Sequence, residues 1–135
     1  MKSFKLEMAR IGSIYYIEVG FYKLKTQKHE TCWIGLDTGA STTTLSRDLL
    51  YDLEYNVTDY PLTRVIAANS IEYANVVNLE RLMLGDMEFN NLQVHTMDFK
   101  DNFLLGVIGL DIFTKFDVNF LFSQNIIEFT PRNDT

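Results

Sequence analysis

An apolar run that ends on a carboxylate and a glycine constrains this chain most: Trp33-Ile34-Gly35-Leu36-Asp37-Thr38-Gly39-Ala40-Ser41. The run is strand-like. Asp37 closes it at a point where a desolvated carboxylate is costly unless hydrogen bonds or a partner charge hold it. Gly39 permits a backbone path that a side chain would forbid. The stretch describes a carboxylate carried on a rigid strand end and delivered into a tight turn, which suits catalysis better than stability. The plain alternative is a strand followed by an Asp-Gly-type turn. By composition alone an Asp-Ser/Thr-Gly tripeptide arises in roughly one chain of this length in twenty, so the surrounding sequence has to decide.

A chain of 135 residues is one domain's worth and buries a core without staples. We read residues 1–135 as a single domain. The 12 Lys and Arg against 18 Asp and Glu leave a net charge of −6. Phosphate binding needs a basic surface, so nucleic acid is excluded as a partner. No basic amphipathic stretch and no apolar run of spanning length points to a membrane. Cys32 is the only cysteine, which excludes an intrachain disulfide. The alternating start, Met1-Lys2-Ser3-Phe4-Lys5-Leu6-Glu7, has no signal-peptide core, and the expected location is the cytoplasm.

The pattern predicts an all-β fold. Phe4, Leu6 and Met8 alternate with charged residues, the period of a half-buried strand. Residues 14–21 are rich in β-branched and aromatic side chains, and residues 31–37 form the strand that bears the motif. Residues 23–30 between them are polar, a hairpin loop or solvated extension without an assigned role. Residues 41–46 read as extended, and Ser46 as the cap of a short helix over 47–53, whose leucines recur at helical spacing. Residues 63–68 and 71–77 flank Asn69-Ser70 as a hairpin. Strands follow over 79–84 and 89–97, the latter with Leu92, Val94 and Thr96 on one face. Residues 103–110 read as a buried strand, Asp111 as the cap of a helical turn over 112–115, and 116–120 and 126–129 as the last strands. Many short strands with regular turns and one or two short helices make a barrel or sandwich.

Two elements then stand in order: Leu36-Asp37-Thr38-Gly39-Ala40-Ser41, and Val107-Ile108-Gly109-Leu110-Asp111 followed by a short helix. This resembles the retropepsin-like aspartic proteases, the single-domain relatives of pepsin. The resemblance spans the chain from the strand before Asp37 to Phe129. It implies a closed β-barrel with a substrate-covering flap hairpin at residues 64–77. It also implies a catalytic loop of Asp37, Thr38 and Gly39, with Thr38 bonding the two loops of a dimer across its axis. Substrate contacts would come from Ala40, from Ala67, Ala68, Asn69 and Ser70 at the flap tip, and from Val107 and Ile108. Ala40 withholds the hydroxyl that a serine could donate to the carboxylate, which reads as activity nearer neutral pH than a digestive aspartic protease. The flap tip departs from the family's usual glycine-rich one.

The chemistry makes the dimer necessary on independent grounds. Amide hydrolysis by carboxylates needs two of them in different protonation states, one as base on a water and one to polarise the carbonyl. Asp-Thr-Gly occurs once here, so a two-fold homodimer must bring Asp37 against its copy. The expected function is a homodimeric aspartic endopeptidase that needs no metal and no cofactor. A non-catalytic dimerisation or peptide-binding module on the same fold is the second reading, and a small ligand-binding β-barrel the third. Elsewhere the bland readings win. His29 sits in a solvated loop, and His95 falls with Gln93 and Met97 on the outer strand face. Two histidines without ligand spacing make no zinc site. Cys32 is a small buried residue rather than a nucleophile.

Overall fold

The computed structural model describes residues 2–67, 69–99 and 104–133. Among them, strand β1 (Phe4–Glu7) turns Phe4 and Leu6 inward and pairs antiparallel with β11 (Ile126–Pro131). β11 pairs in turn with β10 (Phe116–Leu121), completing a three-stranded sheet. The other strands form an eight-stranded sheet in the order β2-β3-β4-β9-β5-β8-β7-β6. Their ranges are β2 (Ala9–Ile11), β3 (Ile14–Tyr22), β4 (His29–Leu36), β5 (Thr44–Ser46), β6 (Leu62–Ala67), β7 (Ser70–Leu84), β8 (Met87–Met97) and β9 (Gly106–Ile108). A further pairing of β3 with β7, Gly20 opposite Met83 and Phe21 opposite Leu82, curls the sheet into a ring.

One apolar cluster fills the space that the ring and the small sheet enclose. Ile17, Val19, Phe21, Ile34, Leu45, Leu82, Ile108 and Phe129 are all fully buried in it. Phe129 stacks on Phe4 at 5.3 Å and meets Phe116 edge-on at 5.1 Å, so the small sheet is fastened by aromatic contacts. Burial of this kind contributes roughly 1.5–3 kcal/mol per large side chain and is the main force holding the layers together.

Helix α1 (Arg47–Asp52) starts as its sequence predicts. The Ser46 hydroxyl accepts the Leu49 N–H at 3.1 Å, and Leu49 and Leu50 face the core. Past its end Glu54 turns back at φ +70 and accepts the N–H groups of Lys25 and Thr26, both at 2.9 Å. These donors, the Thr26 N–H foremost, hold the Glu54 carboxyl below the usual range. The polar segment after β3 is thus a hairpin loop clasped from outside by the end of α1.

Several boundaries differ from the sequence expectation. β4 starts at His29, which pairs with Tyr22 and meets its ring at 5.1 Å instead of sitting in a solvated loop, and of residues 41–46 only Thr44–Ser46 is strand. The first strand divides at Met8, whose N–H turns to Asn125, and the chain then forms the β2–β3 hairpin through Gly12 at φ +62. Residues 71–77 and 79–84 belong to one 15-residue strand, because Asn78 stays in register opposite Gln93. Of the apolar run predicted as a strand over 103–110, only Gly106–Ile108 is strand; part of that run lies outside the described residues. Helix α2 (Leu110–Phe113) begins before Asp111, with Gly109 as its N-cap.

β9 is the element that the site depends on. It lies between β4, which it pairs in parallel, and β5, which it pairs antiparallel. The crossing is close: a Cβ on Gly106 would sit 2.6 Å from Leu45 Cδ2 and 2.7 Å from the Thr44 carbonyl oxygen. Gly106→Ala should therefore destabilise the fold by about 1–3 kcal/mol through overpacking, read as a lower urea midpoint with an unchanged slope. A variant that unfolds at the wild-type midpoint would show the crossing to be slack.

Candidate active site

Asp37 directly follows the last residue of β4. Its N–H donates to the Ile108 carbonyl at 3.1 Å, extending the parallel β4–β9 ladder by one bond. The backbone then reverses, with the Ala40 N–H donating to the Asp37 carbonyl at 3.2 Å. The Gly39 N–H donates to Asp37 Oδ1 at 2.9 Å. The carboxylate is thus carried on a ladder end, oriented by one backbone donor and exposed to solvent. Those are the requirements for a group that must meet a substrate.

The loop after Asp37 is tied to α2 rather than to its own strand. Leu110 donates to the Ala40 carbonyl at 2.8 Å and Asp111 to the Ser41 carbonyl at 3.2 Å. Asp111 lies inside the first turn of α2 rather than at its N-cap, although its Oδ1 does accept the first-turn Ile112 N–H at 2.9 Å. Its carboxylate accepts the Thr43 N–H at 2.9 Å and the Thr43 hydroxyl at 2.8 Å. The fully buried Thr43 hydroxyl also accepts the Gly109 N–H at 3.2 Å. A glycine is required at that point, since a Cβ on Gly109 would lie 2.8 Å from the Ala40 carbonyl oxygen. Charge-assisted bonds of this type are the strong ones, and here they join the two motif halves.

Above Asp37 opens a cleft of about 610 Å³. Asp37, Gly39 and Ala40 lie on one side of its lining, with Val107 of β9 and Val65 and Ile66 of the β6–β7 hairpin. Among the remaining predicted site residues, Thr38 is exposed, as are Asn69 and Ser70 at the hairpin tip. None of these three lines the cleft. Ile108 is fully buried in the core and does not reach the cleft. Ala68 and the Ala67 side chain lie outside the described residues.

His95 lies on the outer face of β8, as expected, but that face borders the cleft. It is half-buried and lines the cleft together with Met97. The period-two alternation of β8 is as read, with Val94 and Thr96 in the core. Its other face looks into the cleft, because the parallel β5–β8 pairing sets His95 opposite Thr44. Val65, Ile66, His95 and Met97 were missed as site residues. The available signal was the apolar character of Ile66 and Met97 on faces that the alternation assigns outward, and both are indeed exposed.

Cys32 stands apart from the cleft. Burial, followed by the negative charges of Glu30, Asp52 and Glu18, pushes its thiol up to about 11. At neutral pH it is an unreactive thiol. No cluster of three or more His, Cys, Asp or Glu among the described residues is arranged to hold a metal ion. No helix among them is long and apolar enough to cross a membrane.

Comparison with known proteins agrees with this geometry. The sequence profile described as "Aspartyl protease" matches residues 23–112, which run from the end of β3 into α2. No curated protein is significantly similar in sequence. Among solved structures, a retropepsin-like aspartic protease from Rickettsia conorii superposes with a TM-score of 0.69 at 19% identity, covering 95% of this chain and 90% of that one. The retroviral protease-like domain of Ddi1 from Leishmania major superposes at 0.56 and 14% identity, covering 93% of this chain and 100% of that one. At these identities the likeness is one of fold, and the fold is retropepsin-like.

Two measurements probe the site's scaffold. Thr43→Val should cost about 1–3 kcal/mol, because it strips a partner from Asp111 and from the Gly109 N–H while keeping shape. Thr43→Ser should recover most of that loss in the same urea titration. For Cys32, thiolate absorbance should rise only as pH approaches about 11 in the folded protein. In urea it should rise in the ordinary cysteine range. Equal titration in both states would mean the thiol is not buried.

Proposed function

From the premise that the chain belongs to the aspartyl protease family, matched over residues 23–112, we propose that it is a homodimeric aspartic endopeptidase. The observation that carries this reading is the placement of Asp37: an exposed carboxylate on a ladder end, opening into a cleft beneath a hairpin. Asp-Thr-Gly occurs once in the chain, so a second copy supplies the second carboxylate. The exposed Thr38 supports that assembly, as does Leu110, which is bonded to Ala40 and yet 39% exposed. Both present surface beside the catalytic loop to a partner.

In the dimer the two Asp37 carboxyls share one proton, because like charges in close apposition do not both ionise. The ionised one takes a proton from water as the water oxygen attacks the scissile carbonyl carbon. The protonated one donates a hydrogen bond to the carbonyl oxygen, which gains the charge. Collapse of the tetrahedral intermediate breaks the C–N bond, and the amine nitrogen leaves with a proton from a carboxyl. Val65, Ile66 and Val107 contribute the apolar walls that hold an extended peptide over the pair. Ala40 offers the carboxylate no hydroxyl, in keeping with activity nearer neutral pH.

A second reading keeps the fold and the peptide but not the cleavage. The observation that favours it is the hairpin tip, Ala67-Ala68-Asn69-Ser70, where no glycine eases movement over a substrate. A mixed peptide library incubated from mildly acidic to neutral pH with wild type and Asp37→Asn separates the two. Loss of about a thousandfold or more in cleavage by the near-isosteric variant is expected for the peptidase. Peptide binding by both proteins without cleavage would establish the second reading. Sedimentation at assay concentration should show a dimer, and a strict monomer that still cuts would sink the paired-carboxylate mechanism.

A further inference from the structure

A second cavity of about 500 Å³ adjoins the Asp37 cleft. The two have Thr44, Val65, His95, Met97 and Phe99 in common, so a peptide lying over Asp37 continues into it. Arg47 lines this second cavity and not the first. We propose that the cavity is a subsite for an acidic side chain of the peptide, Glu or Asp, received by Arg47 and His95. The inference rests on the peptide-binding reading of the cleft.

The guanidinium of Arg47 is set in place from behind. Its Nη1 donates to Asn75 Oδ1 at 3.1 Å, and Asn75 is only 5% exposed. Asn75 is locked in turn, its Nδ2 donating to the Tyr60 carbonyl at 2.9 Å and its N–H to Thr96 Oγ1 at 2.9 Å. A guanidinium carries five N–H donors in a fixed fork. The contact with Asn75 uses one of them. The carboxylate nearest the rest is Asp98, whose Oδ1 lies 3.5 Å from Nε and whose side chain is 80% exposed. With its carboxylate largely in solvent, Asp98 is screened at that distance and contributes little. A substrate carboxylate that meets the fork in bidentate fashion gains more and displaces Asp98.

The other groups at the cavity fit one acid and no more. His95 is half-buried, and its imidazole makes no hydrogen bond among the described residues. Neutral imidazole offers one N–H donor and protonated imidazole two. Glu72 faces the cavity from the exposed β7 half of the hairpin, where solvent screens its charge. A basic substrate side chain would find Glu72 and Asp98, but both carboxylates are exposed and neither has a buried anchor among the described residues. The cation is preorganised and the anions are not, which selects the acid.

Peptides matched except for Glu, Gln or Lys at each position around the cut test this directly. Wild type should prefer Glu over Gln at one position by about tenfold in kcat/KM. Arg47→Gln, confirmed as folded by its melting curve, should bring that ratio to about one. Asp98→Asn, which removes the competing carboxylate and leaves Arg47 in place, should raise it. Fluorescence anisotropy of the same labelled peptides on Asp37→Asn reads the subsite without turnover. A Glu preference in binding alone supports the subsite and overturns cleavage as the function. Cleavage without a Glu preference, a Lys preference, or a Glu preference that survives Arg47→Gln overturns the subsite and leaves the peptidase intact. Failure to bind or cut any peptide overturns both.

Discussion

The Asp111 carboxylate accepts both the N–H and the hydroxyl of Thr43, and that pair of bonds closes the working end of the molecule. Without it, β9 would still pair with β4 and β5, but the start of α2 would be held to the loop that follows Asp37 only by neutral bonds, those of Leu110 to Ala40, Asp111 to Ser41 and Gly109 to Thr43. The two motif halves lie about seventy residues apart in the chain, so closing the loop between them costs conformational entropy. Packing of Gly106 and Gly109 against carbonyl oxygens of residues 40–44 and a charge-assisted pair offset that cost in a small space. The position of Asp37 follows from this crossing. The carboxylate stays exposed because the bonds that fix it come from backbone behind it and not from side chains in front.

The ring architecture explains why the cleft sits where it does. Side chains alternate across a strand, so every strand of the ring has one face in the core and one face outside. On β8 the outward face carries His95 and Met97, and the β5–β8 pairing places it beside the Asp37 loop. The β6–β7 hairpin rises from the same side, with Ile66 85% exposed and directed to the cleft. Apolar residues this exposed on a hairpin are costly in an isolated protomer. An extended peptide or a second copy beneath them would remove them from water.

Much of this was legible because local signals agreed with one another. The Ser46 cap, the leucines of α1 and the alternation over β1, β8 and β10 each arise from neighbours in sequence. The Asp37 turn was equally plain, since a carboxylate at a strand end followed by glycine has few structural uses. Other features depend on partners distant in sequence. Asp111 reads only as a cap until the fold brings Thr43 to it; its carboxylate then bonds Thr43 as well as the first-turn Ile112 N–H, and the N-cap position falls to Gly109. The polar loop after β3 has no visible purpose until Glu54 closes on it. β7 reads as two strands around Asn78 until β8 supplies a continuous partner.

The sequence by itself determined the all-β class and the aspartyl protease resemblance, and it singled out Asp37 as the candidate carboxylate. These are carried by residue types at short spacing, where side-chain chemistry and backbone conformation are coupled directly. Only the tertiary structure decided which polar strand face is solvent and which is cleft. Period-two alternation marks two faces and does not say what stands opposite the outer one. That depends on strand order and register, which arise from pairings across the whole chain. His95 and Arg47 acquire their place beside the cleft in this way, and no local pattern around either residue encodes it.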